Sequence, residues 1–328
     1  MDKKAVIIGV VVIATILLVG YFVFWQKPMT QQGMQKVTIA EFGEVFLYAP
    51  LYVADAKGFF KEQGLEVNIV PTGGDDKTFA ALLSGDAQFG VADPTFTAIS
   101  GEKGQPGKVV ASIVSGVPFW GVAKNAGIPQ ISQPSQLNGY SVATFPAPST
   151  AYTLQKKMFQ TGGLQPNIKE TAFGSLLAAL NAGSVDIALE LEPNVSMAVK
   201  SGSKIVYGLP SYYPDFALTG LTVLPDYMDK NPETVQKAVN AIQRAVDYIR
   251  SNPSGAADIM VKRFTDVDKS VAESAIKNMI ASNVYSQNVT VSEAGWNAAI
   301  QLRKDAGDIK GSASYSDYVV TKFSSQAK

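Results

Sequence analysis

Strand-like and helix-like segments alternate along this chain, and the alternation starts a second time near Ser141. Apolar residues alternate in the strand-like segments, and Gly, Pro or capping residues bound the helix-like ones. Strand patterns fall at residues 36–40, 66–70, 88–92, 108–114, 141–145, 168–172 and 187–191. Helix patterns fall at 49–63, 75–84, 95–100, 150–161 and 176–182. Strands joined by helices pair in parallel and are covered on both faces, so the pattern predicts an α/β fold with parallel-type sheets.

The second start has the character of an internal repeat. Gly64-Leu65 is echoed by Gly163-Leu164, and Ala80-Ala81-Leu82 by Ala178-Ala179-Leu180. One explanation is chance similarity between two strand–helix–strand units, because small residues and Gly end many helices. The other is two similar α/β lobes, each beginning its own sheet.

The chain becomes helical after residue 224. Asn231-Pro232 is a typical helix start. An apolar stripe at helical spacing follows at Val235, Val239, Ile242, Val246 and Ile249. Further helix patterns fall at 256–264, 269–281 and 292–305. Such stripes usually pack against a core, so we expect this tail to cover the first lobe.

Residues 5–25 form an uninterrupted run without a charge. A helix of about 20 residues spans the hydrocarbon core of a bilayer, about 30 Å. The run ends in bulky aromatic residues without a small-x-small cleavage site, which favours an uncleaved signal-anchor over a signal peptide cleaved within 26–35. We expect residues 1–4 in the cytoplasm, a single-pass anchor in the cell membrane, a tether at 26–35 and an extracytoplasmic domain.

Composition narrows the chemistry. The chain has no His and no Cys, which excludes imidazole bases, thiol nucleophiles, metal sites of those ligands and the lipidated cysteine of a lipoprotein. Its 28 basic and 28 acidic residues form no basic stripe for nucleic acid. We expect no metal, no cofactor and no catalysis, although an enzyme using Asp, Glu, Lys, Tyr or Ser remains an alternative.

A resemblance to a known family is carried by APLYVA at 49–54, KGFF at 57–60, GLEV at 64–67, GSVD at 183–186 and Glu192-Pro193. Together these segments resemble solute-binding proteins of ABC importers. The type is the one that handles nitrate, alkanesulfonates, taurine, riboflavin and the pyrimidine precursor of thiamine. The resemblance covers residues 37–224, and the helical tail is compatible with it.

The resemblance implies a two-lobed type II periplasmic-binding-protein fold that closes around its ligand by a hinge motion. It places lobe 1 at 36–120 and 221–328, and lobe 2 at 121–220, with hinge strands near 118–123 and 218–223. The implied partners are a small-molecule ligand and an ABC permease with its ATPase, and we expect a monomer. Tyr48 stands where thiamine-precursor binders have a histidine, and Phe42 where they have a tryptophan, which argues against that ligand.

Ligands of open α/β sheets bind beyond the carboxyl ends of strands. This rule selects the following candidate ligand-binding residues: Phe42, Glu44, Tyr48, Asp93, Thr95, Ser115, Trp120, Ser149, Thr150, Glu190 and Glu192. The aromatic residues among them are either core residues or stacking surfaces, and Trp120 beside a hinge is the best stacking candidate. Ser149 and Thr150 would cap a helix in any case, and in the functional interpretation they also bind an anion.

Charge favours one ligand class over another. Four acids fall at the predicted cleft edges, whereas Arg is absent from residues 1–243. Without an Arg clamp, an aromatic, heterocyclic or amine-bearing ligand fits better than a multiply charged anion. A sulfonate such as taurine, or nitrate, is the alternative, and Glu190 and Glu192 have the alternative role of permease contacts.

Two rival functions remain open. Relatives of similar fold include a pyrimidine-forming enzyme that consumes its own His and a tetrapyrrole-assembling enzyme that tethers its cofactor through Cys, and this chain has neither residue. A membrane-tethered ligand sensor is the other rival, although only residues 1–4 would face the cytoplasm. Neighbouring permease and ATPase genes would favour transport, and an adjacent kinase gene would favour a sensor.

Overall fold

The fold is built on two five-stranded sheets with the same strand order. The computed structural model describes residues 33–147 and 149–328. The predicted cytoplasmic tip and membrane anchor, and the tether as far as residue 32, lie outside the described residues. Among the helices that are described, none is long and apolar enough to cross a membrane. Residues 36–328 pack together as one compact unit.

The first sheet contains β1 (Gln35–Glu41), β2 (Leu65–Pro71), β3 (Phe89–Ala92), β4 (Lys108–Ser115) and β10 (Ala217–Val223). The second contains β5 (Trp120–Ala123), β6 (Val142–Thr144), β7 (Ile168–Glu170), β8 (Ile187–Glu190) and β9 (Lys204–Gly208). The helices up to β9 are α1 (Ala49–Ala56), α2 (Phe59–Glu62), α3 (Asp75–Ser84), α4 (Phe96–Gly101), α5 (Thr150–Thr161), α6 (Leu176–Asn181) and α7 (Asn194–Lys200). Those after β10 are α8 (Pro225–Lys230), α9 (Pro232–Ser251), α10 (Pro253–Arg263), α11 (Lys269–Ala281), α12 (Glu293–Ala306), α13 (Tyr315–Tyr318) and α14 (Thr321–Ser324).

The sheet orders are β2-β1-β3-β10-β4 and β7-β6-β8-β5-β9. Strand β1 pairs in parallel with β3, and β6 pairs in parallel with β7 and β8. Strands β10 and β5 each run antiparallel to both of their neighbours. The predicted two-lobed α/β fold is confirmed, and its sheets are mixed because each receives one strand from a chain arriving from the other lobe.

The chain passes between the sheets twice. The first crossing lies between Ser115 at the end of β4 and Trp120 at the start of β5. The second lies between Gly208 at the end of β9 and Ala217 at the start of β10. The predicted lobe boundary after residue 120 falls beside the first crossing, and the one after residue 220 falls inside β10.

Local sequence explains where several helices begin and end. The single helix predicted at 49–63 is divided into α1 and α2, because Gly58 adopts φ +74°, a left-handed conformation that favours Gly. Helix α5 begins where predicted because Ser149 caps it, its Oγ accepting a hydrogen bond from Tyr152 N–H at 3.2 Å. In α9 the predicted apolar stripe is buried against the core.

The helical tail covers the first lobe and also reaches the second. Helices α9 and α10 pack on α1, as the apolar stripe predicted. Helix α11 packs on α7 of the second lobe, and α12 lies against β10 and α5. Ion pairs Lys200–Asp268 at 2.7 Å and Lys157–Asp305 at 3.2 Å mark these two contacts between lobes.

Candidate ligand cleft

The carboxyl ends of the parallel strands define the candidate cleft. In the first sheet these ends are Glu41 of β1, Ala92 of β3 and Ser115 of β4. In the second sheet they are Thr144 of β6 and Glu190 of β8. Because ligands of open α/β sheets bind beyond such ends, the side chains that follow them are the ones to compare with the predicted site.

Glu190 is the clearest candidate in the second lobe. It is 1% exposed, and its Oε2 accepts hydrogen bonds from Leu191 N–H at 3.1 Å and Asn194 Nδ2 at 3.2 Å. Among the described residues, its buried Oε1 has no hydrogen-bond partner. Burial raises the pKa of this carboxyl to about 7, outweighing the two hydrogen bonds that lower it. A buried polar atom without a partner costs free energy, and this makes Glu190 the first residue to consider as a ligand contact.

One aromatic residue is paired with this carboxyl in the sheet. Trp120 of β5 is the register partner of Glu190. Opposite partners project to the same face of a sheet, and both side chains are buried. Phe145, which is also buried, follows the last residue of the neighbouring strand β6. The end of the second sheet therefore carries a buried carboxyl whose register partner is an indole.

The rings of Trp120 and Phe145 both have close neighbours. A Cβ added to Gly208 would lie 2.8 Å from Trp120 Cδ1, so the indole packs directly on this glycine. Phe145 lies between Phe119 and Phe173, with ring centroids 6.3 Å and 5.2 Å away. Phe173 is 67% exposed. An aromatic series thus runs from the first crossing to the protein surface.

Tyr48 occupies the corresponding edge of the first lobe. It is buried, and its hydroxyl hydrogen-bonds with Thr219 of β10. Burial raises the pKa of the hydroxyl, and the negative charges of Asp75, Glu41 and Asp93 raise it further.

Asp93 and Thr95 are held by an arginine from the helical tail. Asp93 Oδ1 accepts hydrogen bonds from Thr95 N–H at 2.8 Å and Thr95 Oγ1 at 2.6 Å, and its Oδ2 forms an ion pair with Arg303 Nη2. Arg303 also donates to Thr95 Oγ1 at 3.1 Å and Asp308 Oδ2 at 3.1 Å. The Asp93 backbone N–H donates to Asp75 Oδ1 at 2.8 Å. Asp93 and Thr95 thus already have protein partners.

Glu41 and Glu44 share the other arginine near this edge. Arg263 Nε lies 2.7 Å from Glu44 Oε1, whereas its Nη2 lies 3.9 Å from Glu41 Oε1, too far for a hydrogen bond. Glu41 is fully buried, and its Oε2 accepts a hydrogen bond from Tyr52 Oη at 2.7 Å, whereas its Oε1 has no hydrogen-bond partner in the part of the chain that the structure describes. Burial raises the pKa of Glu41 to about 7, with Tyr52 and Arg263 lowering it less. Phe42 follows Glu41 and is partly exposed.

Three of the predicted site residues carry hydroxyl groups. Ser115 Oγ lies 2.9 Å from Ser112 Oγ and 3.2 Å from Ser286 Oγ, beside a polar cavity of about 170 Å³ between β4 and the segment before α12. Ser149 Oγ caps α5 and donates to Phe145 O at 3.2 Å. Thr150 is the partly exposed first residue of that helix. The capping role is observed for Ser149, and its predicted role toward an anion stays a prediction.

Glu192 joins the two lobes. It is buried, its Oε1 accepts from Asn278 Nδ2 of α11 at 2.7 Å and Ser196 Oγ at 3.1 Å, and its Oε2 accepts from Ser196 N–H at 3.0 Å. Both oxygens therefore have protein partners. Burial raises the pKa of this carboxyl, and these hydrogen bonds oppose the rise.

The structure brings Trp120 and Glu190 together in one lobe, and Asp93 and Thr95 in the other. Sequence reasoning missed Glu41, Asp75 and Arg303. Glu41 directly follows the strand predicted at 36–40, and Asp75 begins the helix predicted at 75–84, so the carboxyl-end rule could have selected both. Arg303 lies on helix α12, far along the sequence, and no local pattern indicates that it reaches this edge. In the described part of the chain no group of three or more acidic side chains is arranged to hold a metal.

Two α/β lobes of the same strand order, joined by two crossings of the chain, define a type II periplasmic-binding-protein fold. The chain belongs to the NMT1/THI5-like family, whose model matches residues 46–256. It is 25% identical over 297 residues to YtlA of Bacillus subtilis, whose name calls it a candidate binding protein, covering 88% of this chain and 89% of that one.

Other relatives include a binder and an enzyme. RibY of Chloroflexus aurantiacus, named a riboflavin-binding protein, is 24% identical over 72% of this chain and 68% of its own. The Saccharomyces cerevisiae 4-amino-5-hydroxymethyl-2-methylpyrimidine phosphate synthase THI13 is 27% identical over 63% of this chain and 64% of its own.

Solved structures support the fold. The ligand-binding component of an ABC-type import system from Staphylococcus aureus superposes with a TM-score of 0.69 at 17% identity, over 90% of this chain and 99% of its own. The alkanesulfonate-binding protein SsuA of Xanthomonas axonopodis superposes with a TM-score of 0.65 at 15% identity, and the match covers 87% of this chain and 98% of SsuA.

Proposed function

We propose that this protein is the extracytoplasmic solute-binding component of an ABC importer. It captures a small aromatic, heterocyclic or amine-bearing molecule between its lobes and delivers it to a permease and its ATPase. Residues 5–25 anchor it in the membrane, residues 26–35 tether it, and the protein acts as a monomer. The lobes are residues 36–120 with 221–328, and residues 121–220.

The buried Glu190 carboxyl carries the proposal, because one of its oxygens has no partner among the described residues and Trp120 is its register partner. When ionised, this oxygen accepts a hydrogen bond from an amine or ring N–H, and when protonated it donates one to a ring nitrogen or carbonyl. Trp120 supplies a face on which a flat or cationic group stacks. In this proposal the other predicted residues line or support the same cleft. They are Phe42, Glu44, Tyr48, Asp93, Thr95, Ser115, Ser149, Thr150 and Glu192.

Hinge closure follows from the two crossings. The lobes are linked by two short crossing segments, where small backbone changes produce a large rotation. The contacts of α11 with α7 and of α12 with α5 would form on closing and break on opening. A ligand that touches both lobes stabilises the closed form by its greater affinity for that form.

The relatives support binding and leave one enzymatic alternative. One relative is named a riboflavin-binding protein, and riboflavin is an aromatic heterocycle, which supports a ligand of that class. The yeast relatives are synthases, so an enzyme remains the alternative, but the chain has no histidine for the self-consuming chemistry implied by the resemblance. A sulfonate or nitrate ligand is the second alternative, through hydroxyls at the start of α5.

A thermal-shift screen of the full-length protein in detergent tests the proposal. The probes are riboflavin, 4-amino-5-hydroxymethyl-2-methylpyrimidine, short amines, taurine and nitrate. A ligand at 100 times its Kd stabilises the native state by about 2.7 kcal/mol, which raises the melting temperature by several degrees. A heterocycle or amine should give such a shift, and Trp120→Ala should abolish it. Shifts with taurine or nitrate alone would refute the ligand class, and turnover of a bound probe would refute the binding role.

A further inference from the structure

Resting on the proposed function, we propose that Asn278 of α11 is a positioning residue for the ligand site and that it acts through Glu192. The contacts of Glu192 with Asn278 and of Lys200 with Asp268 form a latch between α7 of the second lobe and α11 of the helical tail. The latch holds the lobes closed, and it keeps the segment that carries Glu190 where this carboxyl meets the ligand. Ligand contact at Glu190 and closing of the lobes are therefore coupled.

The buried end of the latch is the contact between Glu192 and Asn278. Asn278 Nδ2 donates to Glu192 Oε1 at 2.7 Å, and Glu192 is 5% exposed. Two further donors come from the second lobe itself, because Ser196 Oγ donates to Oε1 at 3.1 Å and Ser196 N–H donates to Oε2 at 3.0 Å. Asn278 therefore joins this carboxyl to the tail, and loss of its amide would remove a hydrogen bond from a buried acceptor.

The other end of the latch is an exposed ion pair. Lys200, the last residue of α7, places Nζ 2.7 Å from Asp268 Oδ2 and 3.2 Å from Ser270 Oγ. Asp268 is the N-cap of α11, whereas Asn278 lies in its last turn. The start of α7 thus meets the end of α11, and the end of α7 meets its start, so the two helices lie antiparallel. Because an exposed ion pair stabilises a contact only slightly, the buried contact of Glu192 is the stronger end.

Between these two ends the helices leave space. A cavity of about 350 Å³ lies between them, and its apolar wall includes Val195 and Val199 of α7 and Val271 of α11. Side chains that face a void lack dispersion contacts on that side. The polar contacts at the two ends therefore account for much of what holds α7 against α11, which suits an interface that separates and forms again.

The segment that is latched also orients Glu190. Asn194, the first residue of α7, donates from Nδ2 to Glu190 Oε2 at 3.2 Å, and Leu191 N–H donates to the same oxygen at 3.1 Å. Glu192 lies between these two donors in the sequence. A displacement of Glu192 would therefore move both donors that orient the Glu190 carboxyl.

The tail connects this segment to the first lobe. Helix α11 packs on α10, and α10 packs on α1. A series of direct contacts thus runs from the first lobe through Asn278 and Glu192 to Glu190. Weakening the latch lowers the fraction of closed protein, and the apparent Kd of a ligand rises by the same factor. Ligand binding in turn stabilises the latch, because coupling between two sites is reciprocal.

Interlobe distances from pulsed electron paramagnetic resonance of the full-length protein in detergent test the latch. Nitroxide labels are attached at Asn68→Cys on β2 and Gln165→Cys before β7, two exposed positions on opposite lobes. The chain has no cysteine of its own, so only these positions take the label. Without any probe, Asn278→Ala should shift the distances to longer values. The matched control Lys277→Ala changes the neighbouring exposed residue of α11 and should leave the distances unchanged.

Exchange of the acid and the amide provides a second test of the latch. Asn278→Asp places a second carboxyl against Glu192 and should lengthen the distances further. Adding Glu192→Gln to this variant restores a hydrogen bond between an amide and a carboxyl, with donor and acceptor exchanged. The double variant should therefore return to the shorter distances, which a variant with a damaged fold would not do.

Calorimetry with riboflavin, 4-amino-5-hydroxymethyl-2-methylpyrimidine and butylamine tests the connection to the ligand site. For each probe that binds, Asn278→Ala should raise the Kd about threefold or more, the double variant should recover the affinity, and Lys277→Ala should leave the Kd unchanged.

The outcomes separate this inference from the proposed function. Unchanged distances in Asn278→Ala would refute the latch, and longer distances with an unchanged Kd would refute the positioning role of Asn278. The proposed function stands in both cases. If none of the three probes binds the unsubstituted protein, the proposed function is refuted and the positioning role falls with it.

Discussion

Replacing Glu190 by Gln should change how the stability of this protein depends on pH. The folded carboxyl has a pKa of about 7, raised by burial from its ordinary value of 4.5. The folded state therefore binds more protons than the unfolded state between these values, so stability falls as pH rises through this window. A shift of about 2.5 units corresponds to about 3 kcal/mol at 1.36 kcal/mol per unit.

The measurable quantity is the difference in unfolding free energy between Glu190→Gln and the unsubstituted protein. Gln cannot ionise, so the variant protein should lose no stability at this site as the pH rises. Of the total, about 2–3 kcal/mol should develop between pH 5 and pH 8, and the variant should gain this stability relative to the unsubstituted protein. Any constant penalty from new hydrogen bonding cancels in this comparison, as do the contributions of Glu41 and Asp75.

Urea unfolding of the full-length protein in detergent at pH 5, 6, 7 and 8 gives this difference. Glu273→Gln is the control, because Glu273 is a surface residue whose pKa is lowered by Lys277, so it should lack this gain. A relative stability of Glu190→Gln that stays within about 0.5 kcal/mol across this range would refute the assignment of a buried, proton-binding carboxyl.

Three other substitutions test neighbouring parts of the structure. Asn278→Ala removes a hydrogen bond from buried Glu192 and should destabilise the protein by about 1–3 kcal/mol, measured by urea unfolding. Gly208→Ala places a Cβ 2.8 Å from Trp120 Cδ1 and should displace the indole. The substitution should therefore reduce the free energy of ligand binding, measured by calorimetry, more than it reduces the stability of the fold, measured by the melting temperature. Arg303→Gln leaves Asp93 without its cation and should cost about 3 kcal/mol in the same unfolding experiment, and a loss below about 0.5 kcal/mol would contradict this role of Arg303.

Local signals in the sequence predicted most of the individual elements. Helix α5 begins and ends at the predicted residues because a serine cap and a glycine bound it. The start of α9 and its buried face follow from Asn231-Pro232 and an apolar stripe. The division between α1 and α2 was missed, although Gly58 carries the cause in its left-handed conformation.

Long-range partners were beyond local signals. Arg303 meets Asp93 across 210 positions of sequence, so no pattern near either residue indicated the pair. The absence of Arg from residues 1–243 predicts a cleft without arginine, but the tail brings Arg263 and Arg303 to its edge. Ser115 follows the carboxyl-end rule, yet its hydroxyl faces Ser112 and Ser286, because the segment before α12 pairs along the free edge of β4.

A crystal structure with the tightest-binding probe from the ligand screen shows whether Glu190 and Trp120 bind the ligand. We expect the ligand between the lobes, with an N–H or ammonium group about 3 Å from Glu190 Oε1 and an apolar or aromatic portion against Trp120. Electron density for the ligand elsewhere, with Glu190 Oε1 still lacking a partner, would contradict it.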